Sequence, residues 1–285
     1  MLYVCATPIG NLGDITPRVV EALRAVETIA AEDTRHTRKL LSHLGVHTPL
    51  TSLFKHNEAQ KTEEVLASLR EGRDIALVSD AGMPGVQDPG MRLVTRAIAE
   101  GLEVTVLPGP SAVLTALVAA GLEGDGFRFV GYLPRRAHGL EAALAAWRRC
   151  GGLVVAFETG QRLPRSLAVL AAHAPVLRAA VCRELTKLHE EVARGTLLEL
   201  SARYPISGPD ATPMAGAVRG EITVVLDLGP ALDEAAAARP QARAAATALL
   251  GRGLSRRDTA AALHVCLGLP GREADRLVRE VAAES

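Results

Sequence analysis

The feature that most constrains this chain is a repeated alternation of short apolar runs with helix-period segments, the runs ending in loops dense with Gly and Pro. Residues 2–6, 28–31, 75–79 and 104–107 read as strands, and residues 18–25, 37–44, 60–71 and 91–100 as the helices between them. In the segment 60–71, Val65, Leu66 and Leu69 fall on one face and Lys61, Glu64, Ser68 and Glu71 on the other, the pattern of a helix with one buried stripe. Alternation of this kind calls for parallel strands joined by crossover helices, hence an α/β domain. It is interrupted over 121–126, where Gly and acidic residues cluster.

A second series follows, with strands expected at 127–130, 153–157, 176–182 and 221–228 and helices at 140–149, 162–172 and 196–204. The last strand comes after a Gly/Pro-rich loop (205–220) and is expected to run antiparallel or at an edge. At 285 residues, the chain is longer than one compact core usually holds. It divides into two α/β lobes, 1–120 and 121–229, and a helical extension, 230–285. In the extension, 235–238 and 242–250 are helical by propensity, and 254–285 reads as two helices broken at Gly268-Leu269-Pro270. From Arg239 onward there are eight Arg against five acidic residues. That small surplus fits a solvated tail packed on the second lobe better than a helix-turn-helix-like module gripping nucleic acid.

Composition narrows the function. The formal net charge is zero, so any nucleic-acid contact must come from local basic patches. Such doublets and triplets occur at Arg35/Arg38/Lys39, Arg135/Arg136, Arg148/Arg149 and Arg256/Arg257, though singly they are more often solvated faces. Aromatic content is 3%, which makes a base-stacking platform hard to supply. Cys5, Cys150, Cys182 and Cys266 are far apart and form no CxxC pair, which argues against a zinc site or a disulfide framework. Without a signal-peptide pattern or a span-length apolar run, a soluble cytoplasmic protein with no membrane partner is expected.

In an open α/β sheet, ligands bind beyond the carboxyl ends of the strands. Here those ends carry Thr7-Pro8-Ile9-Gly10-Asn11-Leu12-Gly13-Asp14, then Ser79-Asp80-Ala81-Gly82-Met83-Pro84-Gly85 with Asp88-Pro89-Gly90, then Pro108-Gly109-Pro110-Ser111-Ala112 leading into an apolar helix. Gly and Pro often do no more than make turns, but three such loops on one sheet point to a shared small-molecule site. The first loop lacks the G-x-G-x-x-G fingerprint, although Glu32 and Asp33 stand at a ribose-like spacing after Gly10, and no Walker A sequence occurs. A nicotinamide dehydrogenase and an NTPase are thereby disfavoured.

The loops belong to an ordered series of motifs: 7–14, Ala31-Glu32-Asp33-Thr34-Arg35-His36-Thr37, His56-Asn57-Glu58, 79–84, 108–112, Gly131-Tyr132-Leu133-Pro134, Arg183-Glu184-Leu185-Thr186-Lys187 and Arg219-Gly220-Glu221. The series closely resembles the bacterial small-subunit ribosomal RNA cytidine 2′-O-methyltransferases, a branch of the tetrapyrrole methylase superfamily, over residues 1–228. The resemblance implies two α/β lobes with S-adenosylmethionine in the cleft between them, a homodimer, and small-subunit ribosomal RNA or the small ribosomal subunit as partner. It places Pro8, Gly10, Asp80, Ala81, Gly82, Val86, Ser111, Ala112 and Phe157 near the cofactor. Where many relatives have Ser and then His before Arg162, this chain has Phe157-Glu158-Thr159-Gly160-Gln161, so Gln161 would serve as a neutral hydrogen-bonding group.

Methyl transfer from a sulfonium is an in-line displacement that needs alignment and no metal, and a base near the acceptor hydroxyl would help it. Glu32, Asp33, His56, Glu58 and Lys187 are the candidate bases, with Glu32 or Asp33 preferred. Asp33 reads equally as the N-cap of the helix that follows, and His56 and Glu58 as a solvated turn entering the next helix. Arg35, His36, His56, Asn57, Glu58 and Arg162 are candidate substrate contacts, Arg35 for a phosphate, and Lys187 is a candidate phosphate contact too. A tetrapyrrole C-methyltransferase is disfavoured because those enzymes carry a Gly-x-Gly-Pro-Gly-Asp-like first loop. A non-enzymatic nucleic-acid-binding protein would leave the cleft loops without a purpose.

Overall fold

A computed structural model of the chain describes residues 1–124, 126–206, 218–230, 234–267 and 269–284. Most of the loop expected over 205–220, and Gly268 of the break in the extension, lie outside the described residues. The first alternation becomes a sheet of β1 (Leu2–Cys5), β2 (Thr28–Ala31), β3 (Leu50–Ser52), β4 (Ile75–Val78) and β5 (Val104–Leu107). Its order is β3-β2-β4-β1-β5, and every neighbouring pair is parallel. Helices α1 (Pro17–Ala25) and α2 (Thr34–Leu44) cover one face, with Val19, Leu23 and Leu41 against Cys5, Ile29 and Ala76. Helices α3 (Glu58–Arg70) and α4 (Met91–Ala99) cover the other, with Leu66, Leu69 and Leu93 against Leu2, Val4 and Leu77. A strand buried on both faces reads as an unbroken apolar run, and so β1, β2 and β4 were visible. The chain leaves β1 and β4, which are neighbours, toward opposite faces, and a crevice opens between their carboxyl ends.

The second sheet is built of β6 (Phe127–Tyr132), β7 (Leu153–Thr159), β8 (Arg178–Arg183), β9 (Glu191–Thr196) and β10 (Glu221–Asp227), in the order β6-β7-β10-β8-β9. Only β6 and β7 pair in parallel. β10 is antiparallel, as expected, but it lies at the centre of the sheet, and its interior run from Ile222 to Leu226 is wholly buried. Helices α6 (Ala137–Cys150), α7 (Leu163–His173) and α8 (Leu197–Arg203) pack on one face. The other face takes α5 (Ala112–Ala120), whose Val113, Ala116 and Ala120 meet Val155, Ala180 and Val225. This helix, expected with residues 1–120, therefore packs on the second sheet, and Ile9 of the first lobe joins the same cluster.

The extension forms α9 (Glu234–Gly251), α10 (Arg256–Leu267) and α11 (Gly271–Glu284). They close on one another around Ala242, Ala246, Leu263, Leu277 and Val281, a core of their own. Among the described residues, no helix is long and apolar enough to cross a membrane.

Candidate active site

Backbone bonds stitch the loops after β1, β4 and β5 together. Thr7 and Gly82 exchange N–H···O bonds of 2.8 and 3.0 Å, the Thr7 hydroxyl donates to the Ser79 carbonyl at 3.1 Å, and Ala6 N–H donates to Leu107 O at 3.4 Å. Gly82 holds φ +75°, a conformation glycine adopts at little cost. Gly109 lies so close to β1 that a Cβ there would stand 2.8 Å from the Ala6 methyl. Small residues let the three loops crowd together and leave room above them.

That room is a cleft of about 340 Å³ between the lobes, within the range that holds small-molecule ligands, roughly 300–1,000 Å³. Its first-lobe wall includes Asp80, Ala81, Gly82, Val86, Ser111 and Ala112, and its second-lobe wall includes Phe157, so seven of the nine residues expected near a cofactor meet there. The other two are not part of the lining. Pro8 is buried, and Gly10 packs against the partner lobe, where a Cβ would lie 2.5 Å from Lys187 Cγ and 3.0 Å from Leu185 O. A larger hollow of about 1,050 Å³ lies at the opposite end of the second sheet, around Phe127, Leu153, Arg178 and Asp227. Six of its fourteen lining residues are glycines, and it is remote from every strand-end loop described above.

Carboxylates are prominent in the polar lining of the cleft: Glu32, Asp80 and Asp88 from the first lobe and Glu221 from the second. Burial pushes the Glu32 carboxyl up, and the charges of Asp88 and Asp80 add to the shift. Burial also raises Asp88. Asp33, one residue on, faces a different task. Its Oδ1 accepts from Arg35 N at 2.8 Å as the N-cap of α2, and the Arg35 guanidinium grips both its oxygens at 3.1 and 2.8 Å. Those hydrogen bonds hold Asp33 well below the usual carboxylate range, which makes it a poor base. Of the two preferred candidates, only Glu32 both lines the cleft and has a raised proton affinity.

Several other expected contacts are committed to the fold. Asn57 Oδ1 accepts from Phe54 N at 2.8 Å, and its amide donates to Ser52 O at 3.1 Å. Glu58 Oε1 accepts from Gly90 N at 2.8 Å, which ties the start of α3 to the Asp88–Gly90 loop. Arg162 donates to Leu133 O at 2.6 Å and pairs with the fully buried Glu158 carboxylate at 3.1 Å. Ser166 also donates to Glu158, at 2.6 Å. His36 and His56 are exposed, and Arg35 keeps 86% of its side chain open beside Arg38 and Lys39. Lys187 bridges Glu184 and Glu221 at 3.0 Å each. Burial alone would lower its pKa, but the hydrogen bonds to Glu221 and Glu184 outweigh that and raise it, so Lys187 stands as a cation, not a proton acceptor.

Sequence reasoning assigned no role to Gln87, Asp88, Tyr132, Glu158 or Glu221, all of which line the cleft. Asp88, Tyr132 and Glu221 stood inside recognised motifs, which was the available signal. Among the described residues, three non-glycine positions have left-handed backbone, Gln87 (φ +71°), Glu184 (φ +52°) and Thr186 (φ +66°), and all three sit where the lobes meet. Such conformations are costly and concentrate at functional sites.

The chain's sequence matches the tetrapyrrole (corrin/porphyrin) methylases over residues 1–201. It is 38% identical over its full length to a Synechocystis protein named ribosomal RNA small subunit methyltransferase I, of which it covers 99%. A protein of the same name from Micromonospora olivasterospora is 42% identical over 99% of this chain and 82% of its own length. The Escherichia coli O157:H7 protein of that name is 48% identical over 70% of this chain and 71% of its own. Among solved structures, the methyltransferase CobJ superposes with a TM-score of 0.56 at 22% identity, covering 81% of this chain and 94% of that one. Diphthine synthase superposes with the same score at 16% identity, covering 79% and 89%. At these identities the likeness establishes the fold alone.

Proposed function

This chain belongs to the tetrapyrrole (corrin/porphyrin) methylase family, and from that premise we propose that it methylates small-subunit ribosomal RNA with S-adenosylmethionine as donor. The acceptor is the ribose 2′-hydroxyl of a cytidine. The observation that carries the reading is Glu32, a carboxylate of raised proton affinity lining the inter-lobe cleft on which the strand-end loops converge. The motif series of the RNA branch and the names of the relatives supply the substrate class.

The cleft fits such a donor. Ala81, Gly82 and Ala112 leave a shallow floor, Val86 and Phe157 offer apolar surface, and the surrounding carboxylates favour a cationic group. Asp80, Ala81, Gly82, Val86, Ser111, Ala112 and Phe157 would hold S-adenosylmethionine, which when bound supplies an electrophilic methyl on a positively charged sulfur. Glu32 accepts the proton of the acceptor hydroxyl; a carboxylate whose pKa is raised toward the working pH is the better base. Arg35, Arg38 and Lys39 flank this wall and suit a phosphate backbone. Lys187 holds the loop 183–187 against Glu221 and the first-lobe Gly10, and so keeps the two walls in register.

A homodimer is part of the same reading. β5 is an edge strand with Val106 exposed, and Leu114 and Val118, one helical turn apart on α5, are exposed as well, Val118 by 81%. An apolar set of this kind suits a self-complementary interface. The test uses purified protein, S-adenosylmethionine labelled in its methyl group, and small ribosomal subunits lacking the modification, followed by digestion of the RNA. Label on a ribose 2′-oxygen of a cytidine is expected. Intact cofactor binding with no label on RNA would move the acceptor to a tetrapyrrole or another small molecule.

A further inference from the structure

Aromatic side chains are scarce, with one Trp, three Tyr and four Phe in the whole chain, yet three of the eight cluster at the cleft. Phe129 and Tyr132 both meet Phe157 edge to face, with ring centroids 4.8 and 5.7 Å away at interplanar angles of 64° and 66°. The low aromatic content that argued against a stacking platform is offset by where these rings stand.

An uninterrupted strand would not produce this cluster. β6 pairs Phe129 with Val155, and a regular register would then pair Gly131 with Phe157 and turn Tyr132 to the opposite face, under α6 and α7. The observed pairing is Tyr132 with Phe157. One residue is inserted, and the bulge turns Tyr132 onto the cleft face. Gly131 at φ +70° makes the bulge possible. Gln87 of the first lobe braces it, with Nε2 2.6 Å from where a Cβ on Gly131 would stand. Gln87 is itself in the left-handed region, a costly conformation for a non-glycine residue, and it meets Gly131 across the lobes. The ring was not recruited for core packing, since Tyr132 lines the cleft with 53% of its surface open.

We propose that Tyr132 stacks on the base of the acceptor nucleotide, drawn out of its own stack, and so sets the adjoining ribose hydroxyl in the cleft with Glu32. The proposal rests on the RNA-methylation reading above. An enzyme that acts on one nucleotide must separate it from its neighbours, and an exposed aromatic face replaces the lost stacking. The residues assigned to the cofactor lie chiefly on the first-lobe wall, which leaves this ring of the second lobe to the acceptor. Burial, with the charges of Glu221 and Asp88 added, raises the phenol's pKa, and the ring stays neutral and free to stack.

The test compares Tyr132→Phe, Tyr132→Leu and Tyr132→Ala on unmodified small subunits, with cofactor affinity measured by calorimetry and folding by thermal melting. Phe is expected to retain the wild-type KM for RNA. Leu and Ala are expected to raise it roughly 5- to 150-fold, the range for loss of one base–aromatic stack, with cofactor affinity unchanged. Gly131→Ala keeps the ring but must displace Gln87, and should raise KM in the same direction. An unchanged KM in Tyr132→Ala would overturn the proposal, and so would a loss of cofactor affinity that accounts for the lost activity. Wild-type protein that binds cofactor but labels no RNA would overturn the RNA reading itself, and the stacking role with it.

Discussion

The first lobe brings backbone loops and carboxylates to the cleft, whereas the second brings rings and a closed ion network. In the first sheet all strands run parallel, so the loops after β1, β2, β4 and β5 emerge on one edge and a single set of Gly- and Pro-rich turns can converge. The second sheet is mixed, and it reaches the cleft through the carboxyl ends of β6, β7 and β8 together with the amino end of β10, which is antiparallel to two of them. Its contributions come from strand residues whose directions are fixed by the pleat, such as Phe157 and Thr223. A parallel sheet suits loops that cradle a ligand, and a mixed sheet suits a firm wall against which the ligand is oriented. The division predicts chemistry on the first side and grip on the second.

The largest effect should come from Glu32→Gln, which removes the proposed base. Single-turnover methylation is expected to fall by about 10²–10⁴, with cofactor affinity kept; an equal fall in a second-lobe variant such as Tyr132→Phe would break the division. Because burial raises the Glu32 carboxyl, the wild-type rate should climb as pH rises through that raised value and then level off. In Glu32→Gln the climb should be absent.

Next in size are variants that test how firmly each wall is held. In Ser166→Ala, the Glu158 carboxylate loses its 2.6 Å donor, a cost of about 1.5–3 kcal/mol for a bond to a charged group, read as a shift in the urea midpoint. Glu158 has a raised folded pKa, chiefly from burial. Its contribution is therefore complete below the ordinary Glu value and declines as pH rises through the folded one. The Ser166→Ala deficit should be greatest at neutral pH and shrink in acid. Gly10→Ala pushes a methyl toward Leu185 O and the Lys187 side chain, and overpacking of this kind costs about 1–3 kcal/mol. It should weaken cofactor binding by calorimetry more than it slows single-turnover methylation at saturating cofactor.

The smallest effect is expected from Asp33→Ala. It removes a cap and a surface pair, so the melting temperature should drop by roughly a few degrees while the methylation rate stays near wild type. Since Asp33 is held below the usual range, its stabilisation is present at neutral pH and is lost as pH falls through the lowered value. A large loss of rate in this variant would return Asp33 to the chemistry.

Legibility in the sequence followed burial and locality. The doubly buried strands β1, β2 and β4 and the amphipathic α3 declare themselves through apolar periodicity. The three-residue edge strand β3 and the polar edge strand β9 (Glu-Val-Ala-Arg-Gly-Thr) carry too little of it, because an edge strand is paired on one side only and needs no apolar run. The strand-end loops were visible because Gly and Pro mark turns whatever lies around them. The cap at Asp33 could be weighed because capping is local. What could not be read were devices that join distant residues: Glu58 on Gly90, Arg162 on Glu158 and the Leu133 carbonyl, and Gln87 behind Gly131. The bulge in β6 is the sharpest case, since one inserted residue reverses which side of the sheet every later side chain faces.

The placement of β1 also bears on how the protein acquires its shape. Leu2 pairs with Ile75 on one side and Val104 on the other, so the strand earliest in the chain has no partner until two much later ones have been made. Topologies with contacts this remote along the chain fold slowly, because the entropy of closing long loops is spent before the pairing repays it. The first sheet is completed by β5, and the chain runs from β5 directly into the Pro108–Pro110 turn and α5, which docks on the other lobe. Yet α5 meets Ala180 of β8 and Val225 of β10, which are made later in the chain, so the first lobe can be complete before it has a surface to dock on, and the cleft comes into being only when both lobes have folded.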